Sequence, residues 1–193
     1  MRSTRLTSVV LVVAFAVFSV GLKQTLIGRD AAEAGAYGVG SVAPDFTLPD
    51  VNGKPVSFHE VAARHDITLV NFWATWCMPC RLETPELTKT WQQHGEKGLA
   101  LLAVSTDEDT TKVRRFVEER HLAFPVLADD GSVSKQYDVK ALPTSLMVDR
   151  NAKVVWAHAG IANGLSSTAA QHLARVRTRA DAEPGTPTGD DDD

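Results

Sequence analysis

"ITLVNFWATWCMPCRLETPEL", residues 67–87, places the chain's only two cysteines where one residue pattern gives way to another. Residues 67–73 form an apolar run of strand length, suited to a central strand buried on both faces. From Cys77 to about Gln93 the pattern turns helical. Leu82, Leu87 and Trp91 recur along it, and Pro85 removes one ladder bond. Cys77 and Cys80 therefore stand at a strand-to-helix junction, two residues apart. They can hold a metal, staple the fold or exchange electrons.

A structural zinc site needs four ligands, and this pair supplies two. The histidines are His59, His65, His94, His121, His158 and His172, and no two of them are three to five apart. No metal site is expected. A staple across two intervening residues closes a very small loop and removes little unfolded-state entropy. The redox reading uses the spacing. At a helix start, unpaired amides and the positive dipole end favour a thiolate at Cys77. Cys80, one turn on, is close enough to close a reducible disulfide with it. Pro79 removes an amide that an early helical position can spare. Trp76 offers an apolar, partly exposed platform for a partner chain.

Working outward, extended and helical patterns alternate. "APDFTLPDVNGKPVSF", residues 43–58, carries a hairpin signal at Asn52-Gly53. "LALLAVS", 99–105, reads as a second buried strand, and "DTTKVRRFVEERH", 109–121, as an amphipathic helix with Val113, Phe116 and Val117 on one face. "FPVLAD" is short and extended. "SVSKQYDV" is a helical turn or two capped by Ser132. "TSLMVD" and "VVWAHAG" flank a turn and form a hairpin. Residues 163–179 make a closing helix with Asn163 as candidate cap. The expected fold is α/β, a central sheet covered by helices on both faces, with an antiparallel hairpin at one edge.

Those residues together carry a resemblance. "FWATWCMPCRLETPEL" resembles the active-site segment of thioredoxin-fold proteins, and more narrowly of the TlpA/ResA-like extracytoplasmic thiol–disulfide oxidoreductases. The likeness extends over most of residues 41–160. It takes in the N-terminal hairpin, "LLAVSTDED" and the stretch from "FPVLADDG" to "VVWAHAG". It implies a thioredoxin-like fold with a central mixed sheet and an N-terminal β-hairpin extension. It also implies a redox-active Cys77–Cys80 disulfide and no other cofactor.

"LPT" matches the family's cis-proline loop, so the resemblance makes Pro143 cis and turned to the disulfide, with Leu142 and Thr144 beside it binding substrate. Alone, Pro143 would read as a trans turn proline. Glu83 matches a glutamate that ResA-like members carry three residues after the second cysteine. Helical side chains lean towards the N-terminus, so Glu83 also points back at Cys80. As an acid in a first helical turn it would equally be stabilised by the dipole. Asn71 is a departure, since cytoplasmic thioredoxins place a buried aspartate there, and asparagine cannot titrate. That leaves Glu83 as the candidate carboxylate for moving the Cys80 proton.

The resemblance implies disulfide-bearing protein substrates, such as apocytochrome c or copper-site proteins, and a membrane electron donor relaying from cytoplasmic thioredoxin. The same cysteines could serve a disulfide oxidant or isomerase, because direction follows from potential. They could also serve a Cu(I) carrier, since two thiolates suit a soft metal. Related copper chaperones, however, space their cysteines by three. Peroxiredoxins share the fold but place a threonine where this chain has Ala74.

The chain of 193 residues carries a formal net charge of −4, unevenly spread. Arg2, Arg5 and Lys23 are the charges of residues 1–23. Residues 181–193 carry only acids, namely Asp181, Glu183 and Asp190 to Asp193. Without those three bases and six acids, 17 basic and 18 acidic side chains remain, which gives no basic patch for nucleic acid. Residues 6–22 hold no charge and, as a helix, would span roughly 25 Å, close to the hydrocarbon thickness. With arginines before it, residues 1–23 read as a membrane anchor that leaves the body on the extracytoplasmic side. "AEA" and "AGA" at 32–36 look like cleavage sites but lie far past the apolar run, so an uncleaved anchor is expected, and a secreted or periplasmic protein if the segment is cut. The expected organisation is anchor 1–23, tether 24–41, domain 42–180 and disordered acidic tail 181–193.

Overall fold

The computed structural model describes residues 37–182, with side chains of the last helix described to 178. The expected anchor, most of the tether and nearly all of the acidic tail lie outside them. Among the described residues no helix is long and apolar enough to cross a membrane.

The order of elements is β1 (Thr47–Pro49), β2 (Pro55–Ser57), α1 (Phe58–Arg64), β3 (Ile67–Trp73), α2 (Met78–His94), β4 (Leu99–Ser105), α3 (Thr110–Arg120), β5 (Val126–Ala128), α4 (Ser132–Gln136), β6 (Thr144–Val148), β7 (Val154–Ala159) and α5 (Leu165–Ala182). Five strands form one mixed sheet in the order β5-β4-β3-β6-β7. β3 runs parallel to β4 and antiparallel to β6. β6 and β7 are the expected edge hairpin. This is the α/β sheet that the sequence pattern implies and the thioredoxin-like fold that the resemblance implies.

β3 is central because all seven of its residues are buried. Side chains alternate across a strand, so it feeds two cores. Ile67, Leu69 and Trp73 pack with Leu87 of α2, Val113 and Phe116 of α3, and Leu165 and Ala169 of α5. Val70 and Phe72 face the other way, onto Phe58 and Ala62 of α1, Val133 of α4 and Tyr137. Phe46 and Leu48 of the N-terminal hairpin extend that second core. The hairpin turns at Gly53, whose φ of +87° suits glycine, and Asp50 Oδ1 accepts from the amides of Asn52 and Lys54.

Four local expectations change. α1 is unforeseen; the Ser57 hydroxyl accepts from the Glu60 amide, a Ser-x-x-Glu start that the sequence does carry. Leu82 is 65% exposed, although it shares the apolar spacing of Leu87 and Trp91. The inward face of that turn is taken by Cys80, Glu83 and Thr84. Ser132 does not cap α4. The Asp129 carboxylate accepts from the Val133 and Ser134 amides instead. Nor does Asn163 stand at the start of α5: the helix follows Gly164, and Glu86 of α2 accepts from the Ser166 amide. At α4 the carboxylate comes from just before the helix, and at α5 it comes from 80 residues away in the chain.

Tyr137 ties the hairpin to the body. It is 1% exposed, and its hydroxyl donates to the Pro44 carbonyl at 2.7 Å. Tyr137→Phe is expected to lower stability by roughly 1 kcal/mol in urea denaturation, with disulfide exchange unaffected. An unchanged midpoint would show that the hairpin docks without this bond.

Candidate active site

Where β3 ends, the chain turns through residues 74–76 and enters α2 with Cys77 as N-cap, in extended backbone conformation at φ −79° and ψ 106°. Cys77 and Cys80 are joined by a disulfide, S–S 2.08 Å. Cys77 Sγ accepts from the Cys80 amide at 3.2 Å, so this sulfur satisfies a donor that the helix start leaves open. The sulfur nearest the helix mouth is thus the one an amide and the dipole would stabilise as thiolate.

The turn before it is held by Asp107, a loop residue after β4 that lies within the "LLAVSTDED" stretch but to which the sequence pattern assigns no role. Its carboxylate accepts from the Thr75 amide at 2.8 Å, from the Thr75 hydroxyl and from the Ser105 hydroxyl. The Thr106 amide donates to the Trp73 carbonyl. Strand β4 thereby sets the end of its neighbour β3. The one local signal for Asp107 is an acid two residues beyond a wholly buried strand, which is too common to single out.

Behind the disulfide lies a buried polar cluster. Glu83 is 1% exposed. Its Oε2 accepts from Asn71 Nδ2 at 3.0 Å and its Oε1 from the Ala162 amide at 2.8 Å. Asn71 Nδ2 also donates to Ser145 Oγ at 2.9 Å. Burial pushes the Glu83 carboxyl above its ordinary value; the Ala162 amide, Asn71 and the charge of His158 each pull it part of the way back. A carboxyl so placed is suited to exchange a proton with a thiol on the same helix.

The Leu142–Pro143 peptide is cis, and the Pro143 carbonyl accepts from the Gly160 amide at 2.7 Å. A groove of about 520 Å³ runs between Trp76, Cys77 and Met78 on one side and Val139 to Leu142 on the other. Its rim is apolar, with Trp76 71% and Met78 59% exposed. The structure thus brings Trp76, Cys77 and Leu142 around one groove, with Cys80 and Glu83 beneath. Thr144 is different. It is wholly buried and donates to the Ala141 carbonyl, so its side chain shapes the loop and offers no surface to a substrate. Among the described residues, no group of three or more His, Cys, Asp or Glu side chains is placed to hold a metal.

Comparison with known proteins bears on this geometry. The AhpC/TSA family matches residues 39–157. The thiol-disulfide oxidoreductase ResA of Halalkalibacterium halodurans is 32% identical over 146 residues, covering 75% of this chain and 82% of its own. ResA of Bacillus anthracis is 36% identical over 118 residues, covering 61% and 67%. The crystal structure of a putative thiol:disulfide interchange protein DsbE from Chlorobium tepidum superposes with a TM-score of 0.65 at 30% identity, covering 73% of this chain and 99% of that one. StoA from Bacillus subtilis superposes at 0.57 and 21% identity over 68% of this chain and 97% of its own, a likeness of fold.

The raised Glu83 carboxyl has a sign that stability can read. As pH climbs from the ordinary glutamate value to the raised one, the unfolded chain gives up this proton before the folded chain does. Stability falls through that window and stays lowered above it. Glu83→Gln has no charge to desolvate. Relative to wild type, the oxidised variant is expected to gain stability between pH 4 and pH 8 in urea denaturation. A difference that does not vary with pH would mean that burial does not disfavour this carboxylate.

Proposed function

We propose that this chain, which belongs to the AhpC/TSA family and is a thiol–disulfide oxidoreductase, acts as a reductase of disulfides in proteins outside the bacterial cytoplasmic membrane. The carrying observation is the pairing of a disulfide at a helix mouth with a buried carboxyl on the next turn of the same helix.

In the reduced enzyme, the Cys77 thiolate attacks a substrate disulfide and breaks it. The displaced substrate sulfur leaves as a thiolate and takes a proton from water. Cys80 then gives its proton to the Glu83 carboxylate and attacks Cys77 Sγ, which releases the second substrate sulfur. Two electrons pass to the substrate, and the enzyme is left with the Cys77–Cys80 bond seen here. Trp76 and Leu142 bind the substrate segment across the groove. Pro143 sets the backbone of that segment's partner strand, and Thr144 holds the loop from within.

A donor must return the electrons. The residues at 6–22, an uncharged run behind two arginines, support an anchor that keeps the enzyme beside a membrane protein relaying from cytoplasmic thioredoxin. The resemblance to ResA-like proteins implies apocytochrome c, with its haem-attachment cysteines, or copper-site proteins as substrates. The relatives at 32% and 36% identity are named thiol-disulfide oxidoreductases, which favours electron transfer over Cu(I) carriage.

Cys80→Ser should arrest the cycle at the mixed disulfide. Expressed full length in its native membranes, it is expected to trap disulfide-bearing client proteins, ones whose cysteines work in the reduced form, on Cys77, and Cys77→Ser should trap none. If only proteins that require newly formed disulfides are recovered, the enzyme runs as an oxidant instead.

A further inference from the structure

Glu83 is wholly enclosed, yet one hydrogen-bonded path leads from it to the surface. The Ala162 amide, which donates to Glu83 Oε1 at 2.8 Å, belongs to the same peptide group as the Ile161 carbonyl. That carbonyl lies 3.3 Å from Nε2 of His158. A carbonyl oxygen only accepts, so Nε2 carries the hydrogen in either charge state of the ring. His158 and Glu83 therefore sit at opposite ends of one planar amide. Donation to its oxygen polarises the group and makes its N–H a stronger donor.

The surroundings fix this arrangement. His158 lies near the end of β7, opposite Ser145 of β6, the residue that accepts from Asn71. Its ring stacks on Trp156, with centroids 5.7 Å apart and planes inclined by 17°. Gly160, at φ +89°, turns the chain out of the strand, and its amide is bound to the Pro143 carbonyl. The loop at 160–162 is thus pinned at Pro143, at His158 and at Glu83. Of the groups around His158, Trp156, Ser145 and the Ile161 carbonyl carry no charge, and Glu83 from α2 is the ionisable group its charge reaches.

We infer that His158 is a positioning residue for the thiol step: it holds and polarises the Ile161–Ala162 peptide against Glu83, and when protonated it keeps that carboxyl ionised to receive the Cys80 proton. The charge adds to this polarisation only while the ring is protonated, so the effect is larger at lower pH. Burial opposes it by favouring the protonated carboxyl, which is why a partly exposed cation at the far end of the amide matters. This inference rests on the reading of Glu83 as proton acceptor.

The test follows the resolving step alone. Reduced full-length protein is mixed with one equivalent of 5,5′-dithiobis(2-nitrobenzoate). Release of the second thionitrobenzoate then reports attack of Cys80 on the Cys77 adduct. His158→Leu is expected to slow this step about two- to fivefold at pH 6 and to leave it within about a factor of two at pH 8.5. His158→Gln keeps a donor without the charge and should fall between wild type and His158→Leu. In a Glu83→Gln background, His158→Leu should add nothing. If Glu83→Gln flattens the pH profile while both His158 variants follow wild type, the relay is overturned and the role of Glu83 stands. If Glu83→Gln itself keeps the wild-type profile, the Glu83 reading falls and the relay falls with it. His158→Gln guards against a general packing defect in the leucine variant.

Discussion

The first turn of α2 has amides that no helical carbonyl can accept, and the Cys77 sulfur accepts one of them. Much of the structure serves to keep that sulfur at that spot. β3, buried along its whole length, delivers the chain to the C-terminal end of the sheet's central strand. Asp107 clamps the turn at Thr75 from the neighbouring strand. Pro79 sits where its missing amide costs nothing. The helix mouth thereby gains an acceptor that can be charged or neutral, and its dipole favours the charged form. Redox chemistry needs this difference between the two sulfurs, because the attacking one must ionise while its neighbour is held in reserve.

The second sulfur depends on a different kind of constraint. A carboxyl within a hydrophobic core is disfavoured as an anion unless donors meet it. Glu83 has two, the Asn71 amide and the Ala162 backbone, and they bracket its two oxygens. Asparagine at position 71 fits this role well. An aspartate there would set two carboxylates against each other, whereas an amide donates to Glu83 and to Ser145 together. The carboxyl stands on the helix, and the strand supplies its support. Glu86, one helical turn on, does a parallel service by accepting the Ser166 amide at the start of α5. One face of α2 thus uses acids to anchor the last loop and helix of the chain.

Elements with a strong local pattern are legible in the residues themselves. Strands 67–73 and 99–105 have the limits their apolar runs suggest, and the Asn52-Gly53 turn and the β6–β7 hairpin fall where turn residues lie. Periodicity fails at Leu82 because the inward positions of that turn are reserved for a cysteine, a glutamate and a threonine, so apolar spacing points the wrong way. Caps fail at Ser132 and Asn163 because carboxylates from Asp129 and Glu86 reach those helix starts. Asp129 competes with Ser132 from within the same loop, whereas Glu86 arrives from another segment, which a short-range rule cannot weigh.

The order of residues alone dictates the alternation of strand and helix, the place of Cys77 and Cys80 at a junction between them, and the acid three residues beyond. Each of these follows from forces acting over a few neighbouring residues: side-chain alternation, helical spacing, turn preference and the open amides of a helix start. What surrounds that acid comes from the packing of distant segments. Ala162 meets Glu83 across 79 residues of chain, Ser145 meets Asn71 across 74, and Asp107 meets Thr75 across 32. Such contacts form only when β4, β6, β7 and the loop before α5 have packed against β3 and α2. No local pattern encodes them, because their energy lies in satisfying polar groups that burial has removed from water.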